Sequence, residues 1–173
     1  MLETIHFLSK ESLIRHNEYL KRLRLEYAIL EKSYPVLHGK SSCEIMHLDL
    51  ARGLRVEAYA SRLEIELHEL FFSSFSEANQ SAKLCFRNNI SRAGFLYDAE
   101  NSAIDTKGVF LIIFKSRNGC IDYKIITSYC DVLTENAMLA LDLCEHSYYQ
   151  DYGFDKRRYL RAALSCINLN KII

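Results

Sequence analysis

The sequence predicts an α+β protein in which an N-terminal antiparallel helical hairpin is followed by an α/β domain with a three-stranded antiparallel sheet. The first half contains two long stretches with apolar residues at helical spacing. The second half contains a β-hairpin pattern, a further apolar strand-like run and a terminal amphipathic helix. A chain of 173 residues fits one compact domain or two small ones that share a core. We predict a helical hairpin over residues 1–78 and an α/β domain over residues 79–173.

The first helix is predicted to begin after Ser9, which fits an N-cap, and to end before Pro35 and Gly39. Its apolar residues recur at alternating steps of three and four, so they share one face. That face comprises Leu13, His16, Leu20, Leu23, Tyr27 and Leu30.

The second helix is predicted to begin near Leu48 and to end by Ser73 and Ser74. Its apolar stripe comprises Leu54, Ala58, Leu63, Leu67, Leu70 and Phe71. The segment "YPVLHGKSS" between the two helices is short, which indicates an antiparallel hairpin. His16 and His68 each fall on an apolar face, which is unusual for a histidine.

The second half is predicted to form a small sheet flanked by helices. Residues 77–108 are mixed and fit one or two short helices that lead into a loop. "VFLIIFKSRNGCIDYKIITSY" is typical of a β-hairpin, with strands over 109–114 and 121–129 and a type I′ turn at Asn118 and Gly119. "AMLALDL" is the predicted third strand, and "KRRYLRAALSCINL" is the predicted terminal helix.

Composition excludes several functional classes. The 22 basic and 22 acidic side chains balance, so nothing indicates a nucleic acid or an acidic membrane surface as a partner. No apolar run approaches the ~20 residues of a membrane span, and the first residues lack the features of a secretory signal. The six cysteines form no C-x-x-C pair, which argues against structural zinc, and the missing secretory signal argues against a disulfide framework, so we expect reduced thiols in the cytoplasm. They are Cys43, Cys85, Cys120, Cys130, Cys144 and Cys166.

A possible metal site is indicated by "AMLALDLCEHSYYQDY", which places Asp142 in an apolar run and His146 four residues later. A carboxylate removed from water without a partner costs several kcal/mol, so it needs a hydrogen bond, a cation or a metal. Together with His16 and His68, these residues make a ligand set for iron or manganese that leaves one position for solvent. From the residues alone two alternatives stay open. The histidines can be hydrogen-bonded core residues, and Asp142 can cap a turn or pair with an arginine.

Three segments resemble the iron/manganese superoxide dismutase family. "LDLCEHSYYQDYGFDKRRYLRAALSCINLNKI" resembles its C-terminal signature, a D-x-W-E-H-A-Y-Y-x-D-Y run before a helix that ends near I-N-W. "SKESLIRH" resembles the first-ligand segment and ends on His16, and "LEIELHELFF" resembles the second-ligand segment and contains His68. The matching positions of the C-terminal signature are Asp142, Glu145, His146, Tyr148, Tyr149, Asp151 and Tyr152.

The resemblance implies the family's fold, a helical hairpin before an α/β domain with a three-stranded antiparallel sheet. It also implies an oxidoreductase that converts superoxide to oxygen and hydrogen peroxide. One iron or manganese ion per subunit would be bound by His16, His68, Asp142 and His146. It further implies a homodimer in which Glu145 reaches a ligand histidine of the neighbouring subunit.

The residues around the ligands depart from the family pattern. In the family a glutamine hydrogen-bonds the metal-bound solvent, but here the position four before His68 is Glu64. An ionised glutamate only accepts hydrogen bonds, so Glu64 would favour water over hydroxide and the oxidised metal, or would ligate the ion. Alternatively, Glu64 is a solvated residue of the helix.

The entrance positions are Leu20 and Arg24 rather than histidine and tyrosine, whereas Tyr149 is retained. Arg24 would attract superoxide, or is a surface arginine.

Further departures concern the walls of the site. The chain has no tryptophan, Phe72 follows the second ligand, and Cys144 precedes Glu145. Lys156 stands where the family usually has arginine, which keeps the charge but loses the bidentate fork.

Two functions therefore compete. The first is a divergent cytoplasmic superoxide dismutase in which Glu64, Tyr149 and Arg24 take part in catalysis. The alternative is a metal-binding or interaction protein that reuses the fold without dismutase activity. A third, weaker hypothesis makes Glu64 a fifth ligand of an oxygen- or peroxide-handling iron centre.

Overall fold

The computed structural model describes residues 5–75, 86–129 and 137–167. The helices within these ranges are α1 (Lys10–Ser33), α2 (Ser42–Ile45), α3 (Arg52–Ser74), α4 (Arg92–Asp105), α5 (Glu145–Tyr152) and α6 (Lys156–Cys166), with short 3₁₀ helices at Pro35–Leu37 and Arg87–Asn89. The strands are β1 (Phe110–Lys115), β2 (Ile121–Ile126) and β3 (Ala137–Asp142).

The first two long helices form the predicted antiparallel hairpin. Ser9 caps α1, since its side chain accepts a hydrogen bond from the backbone N–H of Ser12. The second long helix begins at Arg52 rather than near Leu48, because the linker contains the short helix α2. A capping box between Ser41 and Glu44 starts that helix, and the S-x-x-E pattern of "SSCE" is its sequence signal.

The three-stranded antiparallel sheet confirms the predicted α+β fold. The strand order is β2-β1-β3, and Phe110 of β1 pairs with Ile126 on one side and with Asp142 on the other. The prediction of a type I′ turn at Asn118 and Gly119 was wrong. Type I′ requires positive φ at both central residues, and of these two only Gly119 has it, at +82°. The reversal spans residues 116–120, and the Gly119 N–H donates to the Ser116 carbonyl.

One hydrophobic core joins the helices to the sheet. The side chains of Phe110 to Ile113 in β1 are fully buried, so the central strand is covered on both faces. Helix α3 packs against β3, and the Ala140 N–H donates to Ser74 Oγ at 3.2 Å. Helix α1 packs against α5, so the C-terminal half reaches the first helix directly.

Helix α4 falls within the mixed region that was predicted to be helical. It is held to α6 by buried Glu100, which accepts hydrogen bonds from Arg157 at 2.8 Å and from Arg161 at 3.1 Å. The predicted division at residue 78 lies outside the described residues and stays a prediction. No helix in the described ranges is long and apolar enough to cross a membrane.

Candidate metal centre

Four side chains from four different elements meet between the hairpin and the sheet. His16 comes from the second turn of α1 and His68 from α3, and both rings are fully buried. Asp142 is the last residue of β3 and is also fully buried. His146 lies in the first turn of α5, where 31% of its side chain is exposed. One member of the group is therefore open to solvent.

The ligand atoms of this group converge on a small volume. The Nε2 atoms of His16, His68 and His146 lie 3.1, 3.3 and 2.9 Å from Asp142 Oδ2. The two Nε2 atoms of His68 and His146 are 3.4 Å apart. All four ligand atoms lie within 4.8 Å of one another. Three imidazole nitrogens and one carboxylate oxygen therefore surround a single point.

Several of these buried atoms lack hydrogen bonds. Within the described residues, neither ring nitrogen of His16 has a hydrogen-bond partner, and neither does Asp142 Oδ2. The His16 ring approaches Asp142 closely but is not oriented to donate to it. Leaving such groups unpaired in a protein interior costs free energy, which a cation at the centre would offset. The donor set therefore fits a metal ion.

A hydrogen bond to the backbone of α3 sets the tautomer of His68. Its Nδ1 lies 2.8 Å from the carbonyl oxygen of Glu64, which can only accept. The proton of the neutral ring is thus on Nδ1, and the Nε2 lone pair faces the centre. This arrangement is typical of metal-ligating histidines.

The carboxylate of Asp142 is ionised. Burial acts to raise its pKa, but the three surrounding imidazoles outweigh burial and hold the pKa well below its usual value. Burial lowers the pKa of His16, against the opposing effect of Asp142. For His68 burial is again the largest effect and lowers the pKa. The combined contacts with Asp142 and the Glu64 carbonyl exceed it, so the net pKa is raised.

Backbone and side-chain donors hold Asp142 in place. Its Oδ1 accepts a 2.8 Å hydrogen bond from the Cys144 N–H, which leaves Oδ2 facing the histidines. Its carbonyl oxygen accepts hydrogen bonds from the hydroxyls of Tyr159 at 2.7 Å and Ser147 at 3.3 Å. The end of β3 is therefore fixed by α5 and α6.

Residues 95–173 match a family model described as the C-terminal domain of iron/manganese superoxide dismutases. This match assigns the C-terminal part of the chain to the iron/manganese superoxide dismutase family. The matched span contains Asp142 and His146, whereas His16 and His68 lie before it and are brought to the site by the hairpin. No curated protein gives a significant match to the chain.

Aromatic rings lie against the histidines of the centre, where the family pattern has tryptophans. The ring of Phe71 lies 4.6 Å from that of His16, and Phe72 lies 5.1 Å from it. Phe110 lies edge-on to His68 at 5.2 Å. The surroundings of His16 and His68 are therefore apolar.

The pKa values of two other substituted residues are influenced by Asp142. The thiol of Cys144 contacts the Val109 carbonyl at 3.8 Å, and burial, followed by the charge of Asp142, raises its pKa to about 12. Burial lowers the pKa of Lys156. Its ammonium group is electrostatically coupled to Asp142 and Cys144.

The predicted catalytic residues occupy different surroundings. The carboxylate of Glu64 accepts a 2.7 Å hydrogen bond from the Tyr19 hydroxyl and is not one of the four converging ligand atoms. Arg24 pairs with Glu69 at 2.9 Å on an exposed surface between α1 and α3. Tyr149 is half-exposed, and its ring contacts Phe154 at 5.1 Å.

A pocket of about 530 Å³ opens in front of His146. Its walls come from one face of α1 and from α5, and comprise Ser12, Arg15, Glu18, Tyr19, Arg22, Glu145, His146, Tyr149 and Gln150. The structure thus places Tyr149 and Glu145 on this pocket, whereas Arg24 is not among its lining residues.

Tyr19, Arg15 and Arg22 were missed by the sequence analysis. The Tyr19 ring stacks on His146 with a centroid distance of 4.3 Å, and the Arg22 guanidinium lies 5.0 Å from the Tyr19 ring centroid. Tyr19 follows His16 by three residues, and Arg15 and Arg22 are seven apart. Tyr19 is at helical spacing from His16, and Arg15 and Arg22 lie four residues before and three after Tyr19, so the spacing from His16 to Tyr19 and from Tyr19 to the arginines is the signal that could have found them.

Proposed function

We propose that the chain binds one iron or manganese ion through His16, His68, Asp142 and His146 and acts as a superoxide dismutase. In this reaction two superoxide anions and two protons give oxygen and hydrogen peroxide. One observation carries the proposal. Three imidazole nitrogens and a carboxylate oxygen converge within 4.8 Å in a largely buried site, and His16 and Asp142 contribute atoms without hydrogen-bond partners in the described chain.

The metal would supply the one-electron couple that oxidises one superoxide and reduces the next. Three neutral imidazoles and one carboxylate contribute a single negative charge, a donor set that iron and manganese both accept. The hydrogen bond from His68 Nδ1 to Glu64 holds that ring in the ligating tautomer. Phe71, Phe72 and Phe110 exclude water from the buried sides.

We further propose that superoxide enters through the pocket in front of His146. This histidine is the partly exposed member of the ligand set, and Tyr149 lies on the same pocket. Arg15 and Arg22 line the pocket together with Glu18 and Glu145, so the charges of the wall balance and access to His146 rather than net charge favours this entrance. Arg24 is paired with Glu69 and does not line the pocket, so its charge would act on superoxide only from a distance.

A homodimer and a cytoplasmic location complete the proposal. Glu145 is exposed next to His146, so a second subunit docked on α5 could receive its carboxylate at a ligand histidine. Among the described cysteines, Cys43, Cys120, Cys144 and Cys166 are free thiols, which favours a reducing compartment.

A metal-binding protein without dismutase activity is the second candidate. Glu64 stands where the family has glutamine, and its carboxylate already accepts the Tyr19 hydroxyl. An ionised carboxylate has no proton to donate, so Glu64 cannot give metal-bound solvent the hydrogen bond that the family's glutamine gives it.

Metal content and superoxide decay distinguish the candidates. Protein loaded with iron or manganese is expected to accelerate superoxide decay in stopped-flow measurements. Asp142→Ala should abolish both metal and activity, whereas the surface control His38→Ala should change neither. Stoichiometric metal with decay no faster than in buffer would exclude the enzyme and leave the metal protein. Glu64→Gln is an independent test. It should change the rate or the metal preference if the chain is a dismutase, and it should leave activity at background under the alternative.

A further inference from the structure

Glu64 lies next to the proposed centre without being part of it. Its backbone carbonyl accepts the hydrogen bond from His68, and its side chain is one helical turn before that ligand. Its carboxylate is nevertheless absent from the group of converging ligand atoms. The carboxylate is instead hydrogen-bonded to the Tyr19 hydroxyl on the facing helix, at 2.7 Å.

Tyr19 is held in place independently of Glu64. Its ring stacks on His146 with an interplanar angle of 29° and lies 5.3 Å from the His68 ring. The guanidinium of Arg22 lies over the same ring. The position of the hydroxyl is therefore set by two ligand histidines and a helix neighbour, and Glu64 adapts to it.

We propose that Tyr19 is a positioning residue that keeps the Glu64 carboxylate out of the coordination sphere of the metal. The centre then has four protein ligands and one open position. A carboxylate is a good ligand for iron and manganese, and a hydrogen bond to its charged oxygen is the competing interaction. This inference rests on the proposed metal centre but not on dismutase activity.

Removing the hydroxyl should release the carboxylate. In Tyr19→Phe the ring still stacks on His146. The half-buried Glu64 carboxylate, however, has lost the hydroxyl that donated a hydrogen bond to it, and it lies near a divalent cation. We expect the released carboxylate to bind the ion. Glu64 would then become a fifth protein ligand and fill the position that the other four leave open.

Cobalt(II) is a suitable probe, because its visible absorption changes with the ligands and the geometry around the ion. We expect Tyr19→Phe to bind Co²⁺ about tenfold more tightly than the unaltered chain and to give a different visible spectrum, since a carboxylate would replace solvent at the open position. Azide should perturb the spectrum of the unaltered chain but not that of Tyr19→Phe, in which the open position is filled. The double variant with Glu64→Gln should regain both the spectrum of the unaltered chain and the azide response.

Tyr27→Phe is the matched control, because Tyr27 lies on the same helix and its hydroxyl has no hydrogen-bond partner within the described residues. It should leave the cobalt spectrum unchanged. A Tyr19→Phe spectrum equal to that of the unaltered chain would overturn the inference, as would a change that persists in the double variant. An unaltered chain that binds no Co²⁺ would overturn the metal centre and the inference together.

Glu64→Gln alone tests the inference even if Tyr19→Phe fails to fold. If Tyr19 holds Glu64 away from the ion, this variant should bind Co²⁺ with the affinity and spectrum of the unaltered chain. A large loss of affinity with a changed spectrum would show that Glu64 is already a ligand, which contradicts the inference.

Discussion

The Tyr159 hydroxyl donates a 2.7 Å hydrogen bond to the backbone carbonyl of Asp142. Tyr159 lies in α6, its side chain is fully buried, and its ring stacks on Tyr148 at 4.8 Å. The carboxylate that faces the three histidines is thus supported by the C-terminal helix as well as by its own strand. Stability and metal affinity should therefore depend on a residue that touches no ligand atom.

Tyr159→Phe tests this dependence. It removes one hydroxyl and leaves the ring, so the Asp142 carbonyl keeps only the longer bond from Ser147. We expect the free energy of unfolding in urea to fall by about 1–2 kcal/mol. Metal affinity should fall roughly tenfold, as is typical of residues that support a ligand. Tyr97→Phe, at an exposed position, is the control. Unchanged metal affinity in Tyr159→Phe would contradict the supporting role.

Two glycines should respond oppositely to alanine. A Cβ on Gly108 would lie 2.3 Å from Ile125 Cγ2 and 3.2 Å from Leu143 Cδ1, so Gly108→Ala is expected to cost about 1–3 kcal/mol of unfolding free energy. A Cβ on Gly53, in the first turn of α3, would meet nothing within 4 Å. Gly53→Ala should therefore stabilise the chain by roughly 0.5 kcal/mol. Urea denaturation of both variants gives the comparison, and equal effects would contradict the packing at Gly108.

Metal affinity should fall in mildly acidic solution, because protons compete with the ion for the imidazoles. The site raises the pKa of His68, so its protonation begins at a higher pH than that of a free imidazole. The pKa of His16 is lowered, so His16 competes only at lower pH. Asp142 stays ionised throughout. Titrations with Mn²⁺ between about pH 5.5 and 8.5 should show affinity falling about tenfold per pH unit once His68 is protonated. Affinity that stays constant until well below pH 6.5 would contradict the raised pKa.

The cysteines should differ strongly in reactivity. Cys43 and Cys166 are exposed, whereas burial raises the pKa of Cys144 to about 12. Because the thiolate is the reactive form, iodoacetamide at neutral pH should modify Cys144 at least ~100-fold more slowly than Cys43. Peptide mapping by mass spectrometry follows each site. Equal rates at Cys43 and Cys144 would show that the Cys144 thiol is not protected in the folded chain.

The elements that were predictable from sequence are those set by local patterns. Apolar spacing and the Ser9 cap located α1, and β-rich runs on either side of Gly119 located β1 and β2. The linker helix α2 was missed because only four residues form it and a capping box is its main signal. The predicted turn type was wrong because turn type depends on how many residues connect the two strands. The Asn-Gly dipeptide alone does not fix that number.

The four proposed ligands were named from sequence, but their surroundings were not. The residue type at a position that matches the family shows which ligand atoms are available. The hydrogen bonds around those atoms depend instead on which helices pack against each other. Tyr19 illustrates this limit. Its partner Glu64 is 45 residues away, and only the packing of α1 against α3 brings the two together. Arg24 shows the converse, since a neighbouring acidic residue on α3 engages its charge.

The central claim is that His16, His68, Asp142 and His146 hold one redox-active metal ion. The most direct test is the metal content of protein purified from cells supplied with both iron and manganese, measured by emission spectrometry. Our account predicts one iron or manganese ion per chain, and none in Asp142→Ala. A folded chain that carries neither metal, or that keeps its metal in Asp142→Ala, would contradict it.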